Sequence, residues 1–136
     1  MSALFRISML LLVASLLSGM GGGGGQPAGK TPETSEDIKA QLVDRQGVAI
    51  DLSQFSMNGN VSITGDIGSG DLSLPLSRIS RIQFGEVVGE KVPVVLHLKS
   101  TEKVELSLRK RALFYGNMGV GAYRIRADEV REIVLH

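Results

Sequence analysis

The chain has no cysteine and no tryptophan, and only two histidines. Without cysteine there is no disulfide, no thiolate nucleophile and no Cys-ligated zinc or iron–sulfur centre. That absence does not argue against export, because a domain of this size needs no covalent staple. Two histidines, His97 and His136, are too few to favour a transition-metal site. Aromatic side chains are scarce: four Phe and two Tyr in 136 residues, with Phe5 inside the N-terminal apolar run. A core must therefore come from Leu and the β-branched aliphatics. A nucleophile elbow is also absent, so nothing local points to a serine hydrolase.

The formal charge is only +1, but it is unevenly spread. Residues 36–90 carry four basic and eight acidic side chains, and residues 91–136 carry nine and five. The two parts have fields of opposite sign. This fits lobes that attract each other, head-to-tail self-association, or a basic face in the second part.

Arg6 precedes an apolar run, Ile7 to Leu17, that has the length of a signal-peptide core and is short for a membrane span. Leu17-Ser18-Gly19-Met20 and five glycines follow. This stretch resembles a bacterial lipoprotein-type signal, with Met20 where the lipidated cysteine belongs. A thioether has no ionisable S–H, so lipid attachment at that position is excluded. Residues 1–20 are read as a signal peptide or N-terminal anchor. Residues 21–35, rich in Gly and Pro, are read as a flexible linker. The expectation is an exported chain, periplasmic or membrane-associated in the cell envelope, with membrane proximity through its N-terminus.

Residues 36–136 alternate. Ile38, Ala40 and Leu42, then Val48, Ile50 and Leu52, flank the turn Asp44-Arg45-Gln46-Gly47, which is a β-hairpin pattern. Val94, Leu96 and Leu98, then Val104, Leu106 and Leu108, do the same around Ser100–Lys103, at an offset read as 56. Next, Val61 and Ile63, a glycine turn, and Leu72, Leu74 and Leu76 are matched 51 residues later by Ala112 and Phe114, a glycine turn, and Tyr123, Ile125 and Ala127. Gly65, Gly68 and Gly70 fall on Gly116, Gly119 and Gly121, and all six are expected as turn residues. The change of offset implies five extra residues near Gln54–Asn60, with a turn at Asn58-Gly59. Each unit ends alike. Ser77 and Asp128 are read as N-caps of one helical turn, placing Ile79 with Ile82 and Val130 with Ile133 on one face.

The glycine positions and apolar spacing resemble small SH3-like and Sm-like β-barrels, where a short helical turn precedes the last strand. The expected fold is all-β: a small barrel or sandwich of two similar units, 38–84 and 92–136, each of about 45 residues. That is little for an independent core, so one shared core is expected.

Asp66 and Asp71 flank a glycine turn, but their spacing matches no calcium loop, and the second unit has Asn117 and Ala122 instead. The repeated Gly-x-x-Gly-x-Gly lies between strands, with no helix to receive a phosphate. No cofactor, metal or catalytic residue is expected. His97 alternates with Leu96 and Leu98 and should face away from the apolar side. The most basic region is Arg109, Lys110 and Arg111 with Arg124 and Arg126, beside Tyr115; these six form the candidate binding face. In an Sm-like context such a face suggests RNA, but an export signal argues against nucleic acid and for an anionic envelope surface or a protein partner. The functional expectation is an exported, non-enzymatic envelope module that binds a protein or anionic surface, or self-assembles. The alternatives are a small hydrolase using a carboxylate pair and a β-solenoid adhesin, although the recurrence near 51 residues is long for a solenoid rung.

Overall fold

The computed structural model describes residues 30–136. The signal-like segment and most of the linker lie outside the described residues. Alternation yields ten strands: β1 (Ala40–Asp44), β2 (Ala49–Met57), β3 (Ser62–Ile67), β4 (Gly70–Pro75), β5 (Ile79–Phe84), β6 (Lys91–Leu98), β7 (Lys103–Arg109), β8 (Leu113–Asn117), β9 (Ala122–Arg126) and β10 (Val130–Leu135). They form one sheet in the order β4-β3-β7-β6-β5-β10-β1-β2-β8-β9, curled into a half-barrel. Every strand pair is antiparallel. Stacked parallel rungs, which a solenoid requires, are not what these strands build.

The order reads the same from both ends once β1–β5 is matched to β6–β10. The β5–β10 pair lies on the pseudo-twofold axis. The hairpins are exchanged across it: β3 of the first unit pairs with β7 of the second, and β8 pairs with β2. Neither unit can complete its sheet alone, which gives one core. Phe55 stacks on Phe114 with ring centroids 5.6 Å apart, and Phe84 meets Phe114 edge-on at 5.9 Å. Both arrangements are favourable for aromatic pairs. Leu42, Leu96, Ile82 and Ile133 are fully buried around the axis.

The hairpin offset differs from the sequence reading. Leu42 lies opposite Ile133 and Leu96 opposite Ile82; because Ile82 and Ile133 are equivalent, Leu42 matches Leu96 at an offset of 54. Leu52 and Leu106, their hairpin neighbours' equivalents, agree. A slip of two residues keeps every side chain on its own face, so alternation could not distinguish 54 from 56. The first unit therefore has three extra residues, not five. They lie between Ser53 and Val61, where β2 has a one-residue bulge between Ser53 and Ser56 and Gln54 takes a φ of 51°. The turn at Asn58-Gly59 forms as expected. Its φ values of 53° and 87° are those of a two-residue type I′ turn.

The units close differently from expectation too. The single turns are 3-10, Leu76–Arg78 and Ala127–Glu129, with no side-chain cap bond. Ser77 and Asp128 sit inside these turns, not before them, and the Asp128 carboxylate bonds Arg126 instead. Ile79 and Ile82 both lie in β5, and Val130 and Ile133 in β10. In β5 the three-residue spacing coincides with an irregularity between Ile79 and Arg81, which returns Ile82 to the core face.

Two of the six glycines are not turn residues. Gly65 lies in β3 and Gly116 in β8. A Cβ on Gly65 would overlap Leu106 Cδ1 and come within 2.7 Å of the Ser107 carbonyl oxygen, and one on Gly116 would lie 2.8 Å from Leu52 Cβ. These glycines permit the exchanged strands to approach. Gly68 (φ 62°) and Gly119 (φ 94°) make the turns, while Gly70 and Gly121 flank them.

The end of the segment read as linker is seated on the sheet. Pro32 is buried, 3.8 Å from where a Gly59 Cβ would lie, and Thr31 Oγ1 donates to the Gly116 carbonyl at 3.2 Å.

Candidate functional site

The basic residues singled out from sequence are spread over the end of β7, the corner that follows it, and β9. Arg109 ends β7 and lines a polar pocket of about 260 Å³ with Asn58, Thr64, Asp66 and Asp71. Lys110 and Arg111 turn the next corner. The Lys110 ammonium lies 3.6 Å from Glu90, and its carbonyl accepts the Asp128 N–H at 3.0 Å. Arg126 Nε donates to Asp128 at 3.1 Å. That hydrogen bond, with its charge, holds the Asp128 carboxyl below the usual carboxylate range. Lys110 and Arg126 thus meet carboxylates locally, while Arg111 and Arg124 are exposed. Tyr115 is a correction: it is buried, paired across the sheet with Ser56 and Arg124. It lies on the side of β8 opposite Phe114, so it cannot be an exposed contact.

The carboxylates of the rival hydrolase are brought together. Asp66 and Asp71 face each other across the β3–β4 hairpin. Like charges in such a pair repel, and Lys91 offsets this by an ion pair to Asp66. The Lys91 hydrogen bond holds the Asp66 carboxyl below its ordinary pKa. A general acid near neutrality needs the opposite shift. Among the described residues no three His, Asp or Glu side chains converge as a metal site.

His97 does face the outer side of β6. It is half-buried, with Nε2 2.6 Å from Gln83 Oε1. Burial lowers its pKa, and the nearby Arg81 charge adds to this.

The most regular surface feature escaped the sequence reading. Two grooves, each of about 420 Å³, occupy pseudo-equivalent positions. One runs beside the β3–β4 tip and is lined by Asp66, Ile67, Leu106, Ser107, Glu105 and Val94. Its counterpart runs beside the β8–β9 tip and is lined by Asn117, Met118, Leu52, Ser53, Asp51 and Ala40. The floor leucines are each 4% exposed, and the tip residues Ile67 and Met118 are 46% and 44% exposed. Chemistry and exposure therefore repeat along with the fold. Of the charged positions, Glu105 and Asp51 are matched at the offset of 54, as are Ser107 and Ser53. With the hairpins aligned at 56, that match was invisible.

Each groove also has an open strand edge. The β3–β7 ladder consists of Asp66 with Ser107. Alternate residues of a strand present their N–H and C=O to the same side. Lys103 and Glu105 therefore point theirs the same way as Ser107, beyond the tip, with no ladder partner among the described residues. At the other groove Ser53 ladders with Asn117, and Ala49 and Asp51 are left in the same position.

A family described as "Uncharacterised protein" matches residues 34–136, and the chain belongs to that family. No curated protein and no solved structure matches it.

Proposed function

We propose that this family member is an exported, non-enzymatic module of the cell envelope that binds a protein partner at its paired grooves. The observation that carries this reading is the repetition of an apolar floor, an exposed aliphatic tip and an open strand edge at two pseudo-equivalent places. Soluble proteins usually protect or cover strand edges, and such edges are a recurrent means of binding extended segments. The signal-like N-terminus supports the compartment, and the Gly-rich stretch supports a tether near a membrane. An anionic surface is less well supported, since Lys110 and Arg126 meet carboxylates.

Photocrosslinkers placed at Ile67 and Met118 of the full chain in envelope fractions should give discrete adducts with a protein. Vesicles of phosphatidylglycerol should co-sediment the chain no more than neutral phosphatidylcholine vesicles do at physiological salt. Salt-sensitive co-sedimentation abolished by Arg111→Glu, without crosslinked adducts, would replace this reading with the anionic-surface one.

A further inference from the structure

Resting on the partner-binding reading, we infer that the two grooves receive extended peptide segments by strand addition, two segments per chain, each carrying a basic residue next to an aliphatic one. Three features of each groove specify this occupant. The first is the backbone. Lys103 and Glu105 on β7, and Ala49 and Asp51 on β2, offer unladdered N–H and C=O groups in line with β3 and β8. An added strand there continues the course of β3 or β8 past its own tip, so its hydrogen bonds follow the register already set by Asp66–Ser107 and Asn117–Ser53. The reach is short, because the tip blocks one end. A peptide therefore engages with about three or four residues at 3.4 Å each.

The second feature is the floor. Residues of an added strand alternate between the two faces of the sheet. Those on the inner face meet Leu106 and the exposed Ile67 in one groove, and Leu52 and the exposed Met118 in the other. An aliphatic residue at that place covers tip side chains that otherwise face water. The third feature is charge. The outer-face positions place Glu105 in one groove and Asp51 in the other. Glu105 and Asp51 are the matched charged pair; the remaining charged side chains differ, with Asp66 engaged by Lys91 and Lys39 by Asp37. A lysine or arginine directly across from these carboxylates is the complementary choice, because opposite charges in a cross-strand pair attract and like charges repel. The alternation aliphatic-basic-aliphatic satisfies all three features.

The pseudo-twofold arrangement gives the second part of the inference. Two like grooves on one rigid sheet bind two segments, or one partner bearing two such segments with the gain in avidity that linkage brings.

The test uses the full chain, labelled with nitrogen-15, and two synthetic peptides, Ac-Val-Lys-Val-Lys-Val-NH2 and Ac-Val-Glu-Val-Glu-Val-NH2. Amide shifts should move at Lys103–Leu106 and at Ala49–Leu52 with the lysine peptide, saturating at two peptides per chain. The glutamate peptide should bind weaker by about tenfold or more, equivalent to ~1.4 kcal/mol. Glu105→Lys should abolish the response at β7 and leave that at β2, Asp51→Lys should do the reverse, and Glu105→Gln should weaken the β7 response without reversing the peptide preference. The same spectra report whether each variant is folded. Shifts confined to the outer edges of β4 or β9, equal binding of both peptides, or no shifts with millimolar peptide would each overturn the inference. If the peptides fail while the crosslinks at Ile67 and Met118 persist, strand addition is wrong and the partner-binding reading stands. If the peptides bind as described and no protein adduct forms, the grooves are peptide sites and the envelope-partner reading is wrong.

Discussion

The two halves of the sheet are built alike and finished differently. In the first, the stretch from Ser53 to Val61 carries three extra residues, with a bulge at Ser53–Ser56 and Phe55 within it. In the second, β7 runs straight into the corner Lys110–Arg111. The inserted Phe55 stacks on Phe114 of the second unit, on the neighbouring strand β8, so the longer unit supplies core that the shorter one lacks. The shorter unit presents charge at its corner instead. The terminal segment around Pro32 lies near the type I′ turn of the first half. A near-symmetric fold thus has one half specialised for packing and the other for a charged surface.

The largest test of this comparison is to separate the halves. Because β3–β4 and β8–β9 are exchanged, neither half retains its sheet in isolation. A protease site introduced at the exposed Val88-Gly89 connection should leave the two pieces co-eluting after cleavage, with an unchanged circular dichroism spectrum. Residues 89–136 produced alone should lose the β signature. A folded monomer of that piece would show that the exchange is dispensable.

Next in size is the aromatic bridge. Phe114→Ala should cost about 3–5 kcal/mol in urea denaturation, and Phe55→Ala toward the lower part of that range. Phe114 meets both Phe55 and Phe84, whereas Phe55 is stacked on Phe114. The reverse order would mean that the bulge matters more than the edge-on contact with Phe84.

The matched glycines come third. Gly65→Ala and Gly116→Ala should each destabilise by about 1–3 kcal/mol. At Gly65 the obstacle includes the Ser107 carbonyl oxygen and at Gly116 it is the Leu52 Cβ, and neither can rotate away. Markedly unequal losses would indicate that the two crossings are not equally tight.

The smallest effect is a pH dependence confined to the second half. His97 occupies the place of Val43 in the first. Its folded-state pKa lies below its ordinary value of about 6.5, chiefly through burial. In the window below that value the unfolded chain binds the proton more readily, so stability is full above it and is lost as the pH falls through the folded pKa. His97→Gln should flatten the stability profile just below about pH 6.5; an unchanged slope would assign it to other groups.

Much of this architecture was legible locally. Alternation marked both hairpins of each half. Asn58-Gly59 announced its turn, since both residues tolerate positive φ. The glycine triplets disclosed the duplication. The site was less legible. Tyr115 read as exposed because it neighbours charged residues, yet both faces of β8 are covered. Glu105 and Asp51 gave a usable signal that the 56-residue alignment hid.

Sequence alone determined the strands, their turns and the twofold repetition, because these depend on side-chain period and on backbone preferences within a few residues. Tertiary structure alone decided the hairpin register, the exchange of β3 and β8 between units, and the glycine crossings at Gly65 and Gly116. Period-two patterning is unchanged by a two-residue slip, and it does not specify which of two like strands a hairpin will join. Those choices depend on the fit of side chains across the shared core.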